Sequence, residues 1–159
     1  MEKIPSFTID HNKLIPGVYV SRTDAVGGDT VTTFDLRFTR PNREPVMNTG
    51  TAHAIEHLAA TFMRNDVEMK DRIVYFGPMG CRTGFYLLIK GPIEPKDIYR
   101  LLKESMKFIC DFEGEIPGAA PKDCGNYSDM DLIGAKAYAK KFLNEVIADF
   151  GPHNTVYPK

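Results

Sequence analysis

The sequence predicts an α+β fold, a single-domain sandwich in which a largely antiparallel sheet packs against helices. Three observations carry that expectation. Short β-branched and aromatic runs recur, several segments show helical composition or a helical apolar stripe, and the two kinds do not alternate strictly as a parallel α/β fold requires. The length of 159 residues suits one domain. No repeat, low-complexity tract or linker divides it, so residues 1–159 are read as one unit.

Val31 to Phe38 is β-branched and aromatic with rough alternation and stops at Pro41-Asn42, so it reads as a strand; Gly27-Gly28-Asp29 is the turn before it, and Val18 to Val20 is the other arm of a hairpin. Thr51 to Met63 has helical composition, with Thr49 or Thr51 as N-cap and Asn65-Asp66 near its end. Arg72 to Phe76 and Gly84 to Lys90 read as strands on either side of the turn-rich loop Gly77 to Thr83. A second helix is expected from about Pro95 to Phe112, burying Ile98, Leu101, Leu102, Ser105, Ile109 and Phe112. Pro117, Gly118, Pro121 and Gly125 keep the next stretch irregular. A third helix then starts after Ser128, whose pairing with Asp131 resembles a capping box, and runs towards Phe150.

Composition excludes several functions. With 43% hydrophobic residues, 26% charged ones and 20 basic against 21 acidic side chains interleaved along the chain, no basic stripe for nucleic acid is present. No apolar run approaches the ~18 residues of a membrane span, and the first residues lack a secretory apolar core, so a cytoplasmic protein is expected. Three cysteines, Cys81, Cys110 and Cys124, form an odd set that reads as thiols, ligands or core residues rather than a disulfide framework.

The chemistry concentrates in His53-Ala54-Ile55-Glu56-His57. At ~100° per residue His53, Glu56 and His57 share one helical face, to which Arg64 returns, while Ala54, Ile55, Leu58, Ala59 and Phe62 are apolar. Two imidazoles at i and i+4 can bind one metal ion from one helix, and the adjacent carboxylate can reach substrate or water. A pair of hydrogen-bonded structural histidines is the bland alternative. Inverted zinc peptidases share the same five-residue pattern and would use Glu56 to activate water, with a downstream glutamate as third ligand. Cys124 is the best third ligand here, because its irregular segment can aim a side chain; Cys110 reads as a small hydrophobe, and His11 and His153 are weaker ligand candidates. Cys81, between Gly80 and Arg82 in a loop between strands, can present a thiol into a cleft, where a nearby cation favours thiolate. A carboxylate and a thiol flanking an open metal position suit proton movement on carbons next to a carbonyl.

These residues stand in a longer ordered set: Ser6-Phe7-Thr8-Ile9-Asp10-His11, Phe34-Asp35-Leu36-Arg37-Phe38, Pro41-Asn42, His53 to Leu58, Phe62-Met63-Arg64-Asn65, Pro78 to Tyr86, and Cys124-Gly125. The set resembles the S-ribosylhomocysteine lyases, which make the precursor of the autoinducer-2 signal. The resemblance implies that His53, His57 and Cys124 bind Fe(II), with Zn(II) or Co(II) able to substitute. It implies Glu56 and Cys81 as the acid/base pair and Ser6, Phe7, His11, Arg37 and Arg64 as substrate-binding residues. It also implies a homodimer with shared sites: Ser6, Phe7, His11 and Arg37 come from one subunit, and the metal, Glu56, Cys81 and Arg64 from the other. The family pattern before Pro78 is commonly Asp-x-Ser, whose Asp contacts substrate. Here Tyr75-Phe76-Gly77 stand there, and that carboxylate contact is missing.

Overall fold

Alternation along the strands sorts the side chains into two faces of one antiparallel sheet. The computed structural model describes residues 2–159. Strands β1 (Gly17–Val26) and β2 (Asp29–Arg37) form the expected hairpin, and β3 (Ile73–Pro78) and β4 (Gly84–Lys90) a second one, joined in the order β1-β2-β4-β3. Phe34, Leu36, Phe85, Leu87 and Ile89 point into the core. Their strand neighbours Asp35, Arg37 and Tyr86 therefore face the other way, in a row where Tyr19 pairs with Asp35 and Asp35 with Tyr86.

Helices α1 (Thr49–Asn65), α2 (Tyr99–Asp111) and α3 (Leu132–Phe142) cover the inner face. Phe142 of α3 stacks on Phe38 at 4.4 Å, and Phe38 meets Phe85 edge-on at 5.2 Å, so aromatic contact ties the last helix to the sheet. Ile98, Leu101, Leu102, Ser105 and Ile109 are all buried as the stripe requires, while Phe112 is half-buried. Each fully buried aliphatic or aromatic side chain contributes roughly 1.5–3 kcal/mol, so such a stripe outweighs any helix propensity difference along it.

Several boundaries differ from the sequence expectation, each for a local reason. Asn48, not Thr49 or Thr51, caps α1 by accepting from the Thr51 N–H. A 3₁₀ turn over Pro95–Ile98 precedes α2. Helix α3 begins at Leu132 rather than after Ser128, because Asp131 is its N-cap, accepting from the Gly134 N–H at 2.9 Å. The same carboxylate accepts from Thr51 at 3.1 Å and Asn48 at 3.3 Å, which joins the start of α3 to the start of α1. After Phe142 the chain widens into a π turn, Leu143–Ile147, instead of continuing as α-helix to Phe150. Ser6 to His11, which reads alone as an edge strand, is instead a 3₁₀ turn over Pro5–Phe7 followed by bends and a turn. Among the described residues no helix is long and apolar enough to cross a membrane.

Candidate metal centre and thiol cleft

Helix α1 presents His53, Glu56 and His57 on one half-buried face, and the irregular segment before α3 brings Cys124 against it. One ligand atom from each of His53, His57 and Cys124 lies within 4.8 Å of the others, and this is the metal-capable group found among the described residues. The imidazoles are oriented from behind. His57 Nδ1 donates to the Pro117 carbonyl at 2.8 Å, and His53 Nδ1 faces an Asp129 carboxylate oxygen at 3.4 Å. His53 Nε2 then meets Cys124 Sγ at 3.4 Å. A carbonyl or carboxylate on Nδ1 fixes the tautomer with its proton there and leaves the Nε2 lone pair free to bind a metal, which is how imidazole ligands are ordinarily held.

Gly118 makes that support possible. Its φ of 77° lies in the left-handed region. A Cβ there would sit 3.0 Å from His57 Nδ1, so only glycine lets the Pro117 carbonyl come this close. Two imidazoles and a cysteine sulfur make a donor set that suits a divalent transition metal with an open position; the third donor is sulfur, not the glutamate an inverted zinc peptidase needs. The Glu56 side chain, one residue before His57, has no hydrogen-bond or ion-pair partner among the described residues.

Cys81 lies elsewhere on the chain's surface, in the loop between β3 and β4. The loop closes with Met79 N–H to Gly84 O and Arg82 N–H to Met79 O, and Arg82 turns with φ 58°. It is pinned to the segment before α1, with Met47 N–H donating to Arg82 O and the Arg82 guanidinium to Met47 O. Cys81 opens into a cleft of about 440 Å³ shared with Ser6, Phe7, His11 and Arg37. None of His53, Glu56, His57 or Cys124 lines it. The expected division, with Cys81 on the metal-bearing subunit and Ser6, Phe7, His11 and Arg37 on the other, does not match: Cys81 sits with these four in one chain. The physical reason is the sheet, since Arg37 ends β2 opposite Gly84, the first residue of β4 after the Cys81 loop.

Below Cys81 lies a buried polar chain. The Arg37 guanidinium grips Asp35 through Nε to Oδ1 at 3.0 Å and Nη2 to Oδ2 at 2.6 Å. Its Nη1 donates to Thr83 Oγ1 at 2.6 Å and to Cys81 Sγ at 3.9 Å. Because a guanidinium can only donate, the Thr83 hydroxyl keeps its own proton for Cys81 Sγ, 3.1 Å away. Burial alone would push the Cys81 thiol up; hydrogen bonds from the Thr83 hydroxyl and backbone N–H, with the Arg37 charge, outweigh it and hold the thiol below its ordinary value. Cys110 is the converse, raised chiefly by burial and then by Asp111, in keeping with a small hydrophobe.

The remaining expected site residues are less convergent. Arg64 sits on the His53 face but about 10 Å along the helix axis from His57, and its guanidinium donates to the Ile73 and Val74 carbonyls of β3. It reaches neither the ligand group nor the Cys81 cleft. His153 pairs with Asp149. The Tyr75 ring folds back over Gly77, where a Cβ would run into its hydroxyl, so Tyr75 and Gly77 are a matched pair. Sequence reasoning missed Asp129, Pro117, Thr83 and Asp35. Only Asp35 carried a local signal: two residues before Arg37 on a strand, it had to share its face.

An α+β chain with a His-His-Cys group that could hold a metal ion, and a separate cleft whose Cys81 thiol is held below its ordinary value, fits the class of metal-dependent enzymes. Residues 4–151 match the model of the S-Ribosylhomocysteinase (LuxS) family. The chain is 60% identical over 158 residues to the S-ribosylhomocysteine lyase of Clostridium beijerinckii, covering 99% of each. It is 58% identical to that of Finegoldia magna, covering 100% of each, and 54% identical to that of Porphyromonas gingivalis, covering 99% of each. The chain belongs to the S-ribosylhomocysteinase (LuxS) family.

Proposed function

We propose that this protein is a metal-dependent carbon–sulfur lyase that converts S-ribosylhomocysteine into homocysteine and 4,5-dihydroxy-2,3-pentanedione. The observation that carries this reading is the His53, His57 and Cys124 donor group, within 4.8 Å, on a chain that matches lyases along their whole length. These three side chains would hold a divalent ion, which we take to be Fe(II), with Zn(II) or Co(II) able to substitute at an imidazole and thiolate set. Such an ion supplies Lewis acidity, polarising the carbonyl of the opened sugar so that neighbouring C–H protons become acidic.

Everything else falls to the chain's own residues. Moving the carbonyl along the sugar requires, at each shift, that a proton leave one carbon and another return to the adjacent one. Glu56, unpaired beside the ligands, and Cys81, held towards thiolate by Thr83 and Arg37, suit that exchange. In the elimination a base takes the proton next to the carbonyl, its electron pair forms a new double bond as the C–S bond breaks, and the enol left behind gains a proton at its terminal carbon and loses its hydroxyl proton to give the dione. Sulfur leaves as thiolate and takes up a proton as homocysteine. Ser6, Phe7 and His11 line the cleft in which the sugar would lie, and Arg37 acts by holding Cys81.

We further propose that the working unit is a homodimer in which the α1 face of one copy closes on the Cys81 cleft of the other. Its support is that the cleft lining within one chain includes neither Glu56 nor a metal ligand. The test is anaerobic turnover of S-ribosylhomocysteine by Fe(II)- or Co(II)-loaded protein, reading free homocysteine thiol. Glu56→Gln is expected to keep metal and fold and to lose at least ~100-fold in rate, the scale of one general acid/base. Undiminished release by that variant, or none from the metallated parent, would overturn the reading.

A further inference from the structure

The buried chain beneath Cys81 does not end at Asp35. Residues 151–159 return across the outer face of the sheet and place Tyr157 on it, where its ring stacks on Tyr19 at 4.7 Å and 8° and its hydroxyl donates to Asp35 Oδ2 at 2.9 Å. We propose that Tyr157 is a positioning residue for Cys81, setting the proton affinity of the thiol through Asp35 and Arg37. The proposal deepens the reading of Cys81 as an acid/base group and rests on it.

The hydrogen-bonded route runs through one carboxylate oxygen. Asp35 Oδ2 accepts from Arg37 Nη2 at 2.6 Å and from the Tyr157 hydroxyl, so one oxygen is shared between the cation and the phenol. Both Asp35 and Arg37 are 2% exposed, which leaves water little access to replace a lost donor. Arg37 Nη1 is the only part of that guanidinium directed to the thiol side, at Thr83 and Cys81. Draining negative charge from Asp35 leaves more of the guanidinium's field for Cys81; withdrawing the phenol returns that charge to Asp35 and disfavours the thiolate.

The tyrosine is suited to stay a donor. Burial, then the Asp35 carboxylate, push its hydroxyl well above the usual tyrosine value against the opposing hydrogen bond with Ser21, so it keeps its proton across the working range. It is also fixed in place from several directions. Asn154 Nδ2 donates to the Val146 and Asp149 carbonyls. A Cβ on Gly17 would strike the Asn154 carbonyl, and Lys13 Nζ holds the Lys159 carbonyl at 2.9 Å. Other charged or titratable groups facing this region are Tyr86, itself raised by burial and then Asp35, together with Tyr19, His11, Glu44 and Arg22. None of them donates to Asp35, so none takes the place of Tyr157.

The experiment reads Cys81 directly, without turnover. Iodoacetamide alkylation of the metallated full chain is followed against pH by peptide mass spectrometry that separates Cys81 from Cys110 and Cys124. Tyr157→Phe keeps the ring stack and removes the hydroxyl. Its profile is expected to move up by about half a pH unit, near threefold slower alkylation at neutral pH. Replacing Tyr157 by 3-fluorotyrosine makes a stronger donor and is expected to move the profile down. Opposite shifts are the signature of the relay. Profiles that superimpose on the parent, or that both move the same way, would overturn it as packing alone; if the Phe variant does not fold, the fluorotyrosine arm decides. Shifted alkylation with an unmoved pH profile of turnover would leave the relay standing and remove Cys81 from the chemistry instead.

Discussion

Two imidazoles of one helix can bind a metal only if something outside the helix turns their rings, and here that something is remote in sequence. Pro117 holds His57 across a separation of 60 residues. The His-x-x-Glu-His face was therefore legible, because helical periodicity is local, whereas its supports were not, because Asp129 and Pro117 meet it only after folding. Cys124 stood between these cases: its irregular segment marked it as a possible ligand, and the fold supplies the 3.4 Å approach to His53. The support can be tested apart from the ligands. Gly118→Ala places a methyl 3.0 Å from His57 Nδ1 on a left-handed backbone, so His57 loses its carbonyl or the loop moves. Metal affinity, measured by chelator competition, is expected to fall about tenfold with the three ligands intact, as for other outer hydrogen-bond partners. Unchanged affinity would mean that the loop adjusts without disturbing the imidazole.

Strand and helix identities were readable along most of the chain because alternation and apolar stripes are written in neighbouring residues. Ends were not, because they are fixed by distant partners. Asp131 starts α3 where it does while also bonding Thr51 and Asn48 at the start of α1, and a local Ser128–Asp131 pairing could not reveal this. Asp66 plays the matching part at the end of α1. It accepts from the Glu68 and Met69 backbone and from both arms of Arg100 at 2.9 Å, tying α1 to α2. The hydrogen bond from Arg100, against the opposing effect of burial, holds its carboxyl below the usual range. A depressed carboxyl stabilises the fold above its unfolded value near 4, and that stability is lost as pH falls through the lower folded value. Asp66→Asn is accordingly expected to cost about 1–3 kcal/mol at neutral pH, read as a lower melting temperature. The gap from the parent should narrow on acidification below pH ~4, and a gap that stays constant would assign the loss to packing.

At the scale of the molecule, the sheet separates the two reactive groups. The helical layer carries Glu56 and the metal donors, while the β3–β4 loop carries Cys81 with the residues over the outer face. The sequence placed these residues correctly in order but could not say which share a chain-local cleft, since that depends on β2 and β4 being neighbours. Complementation between inactive variants tests the arrangement. Glu56→Gln and Cys81→Ala homodimers should each be inactive, yet co-expression should restore about a quarter of parental turnover, because half the dimers are mixed and each has one intact site. No recovery would place both groups in one subunit's site. The π turn at Leu143–Ile147 constrains how this sequence can change over generations. Deleting one residue there would rewind it as α-helix and swing the following segment by about 100°, carrying Tyr157 off Asp35. Between Leu143 and Tyr157, descendants can exchange side chains far more readily than they can alter length.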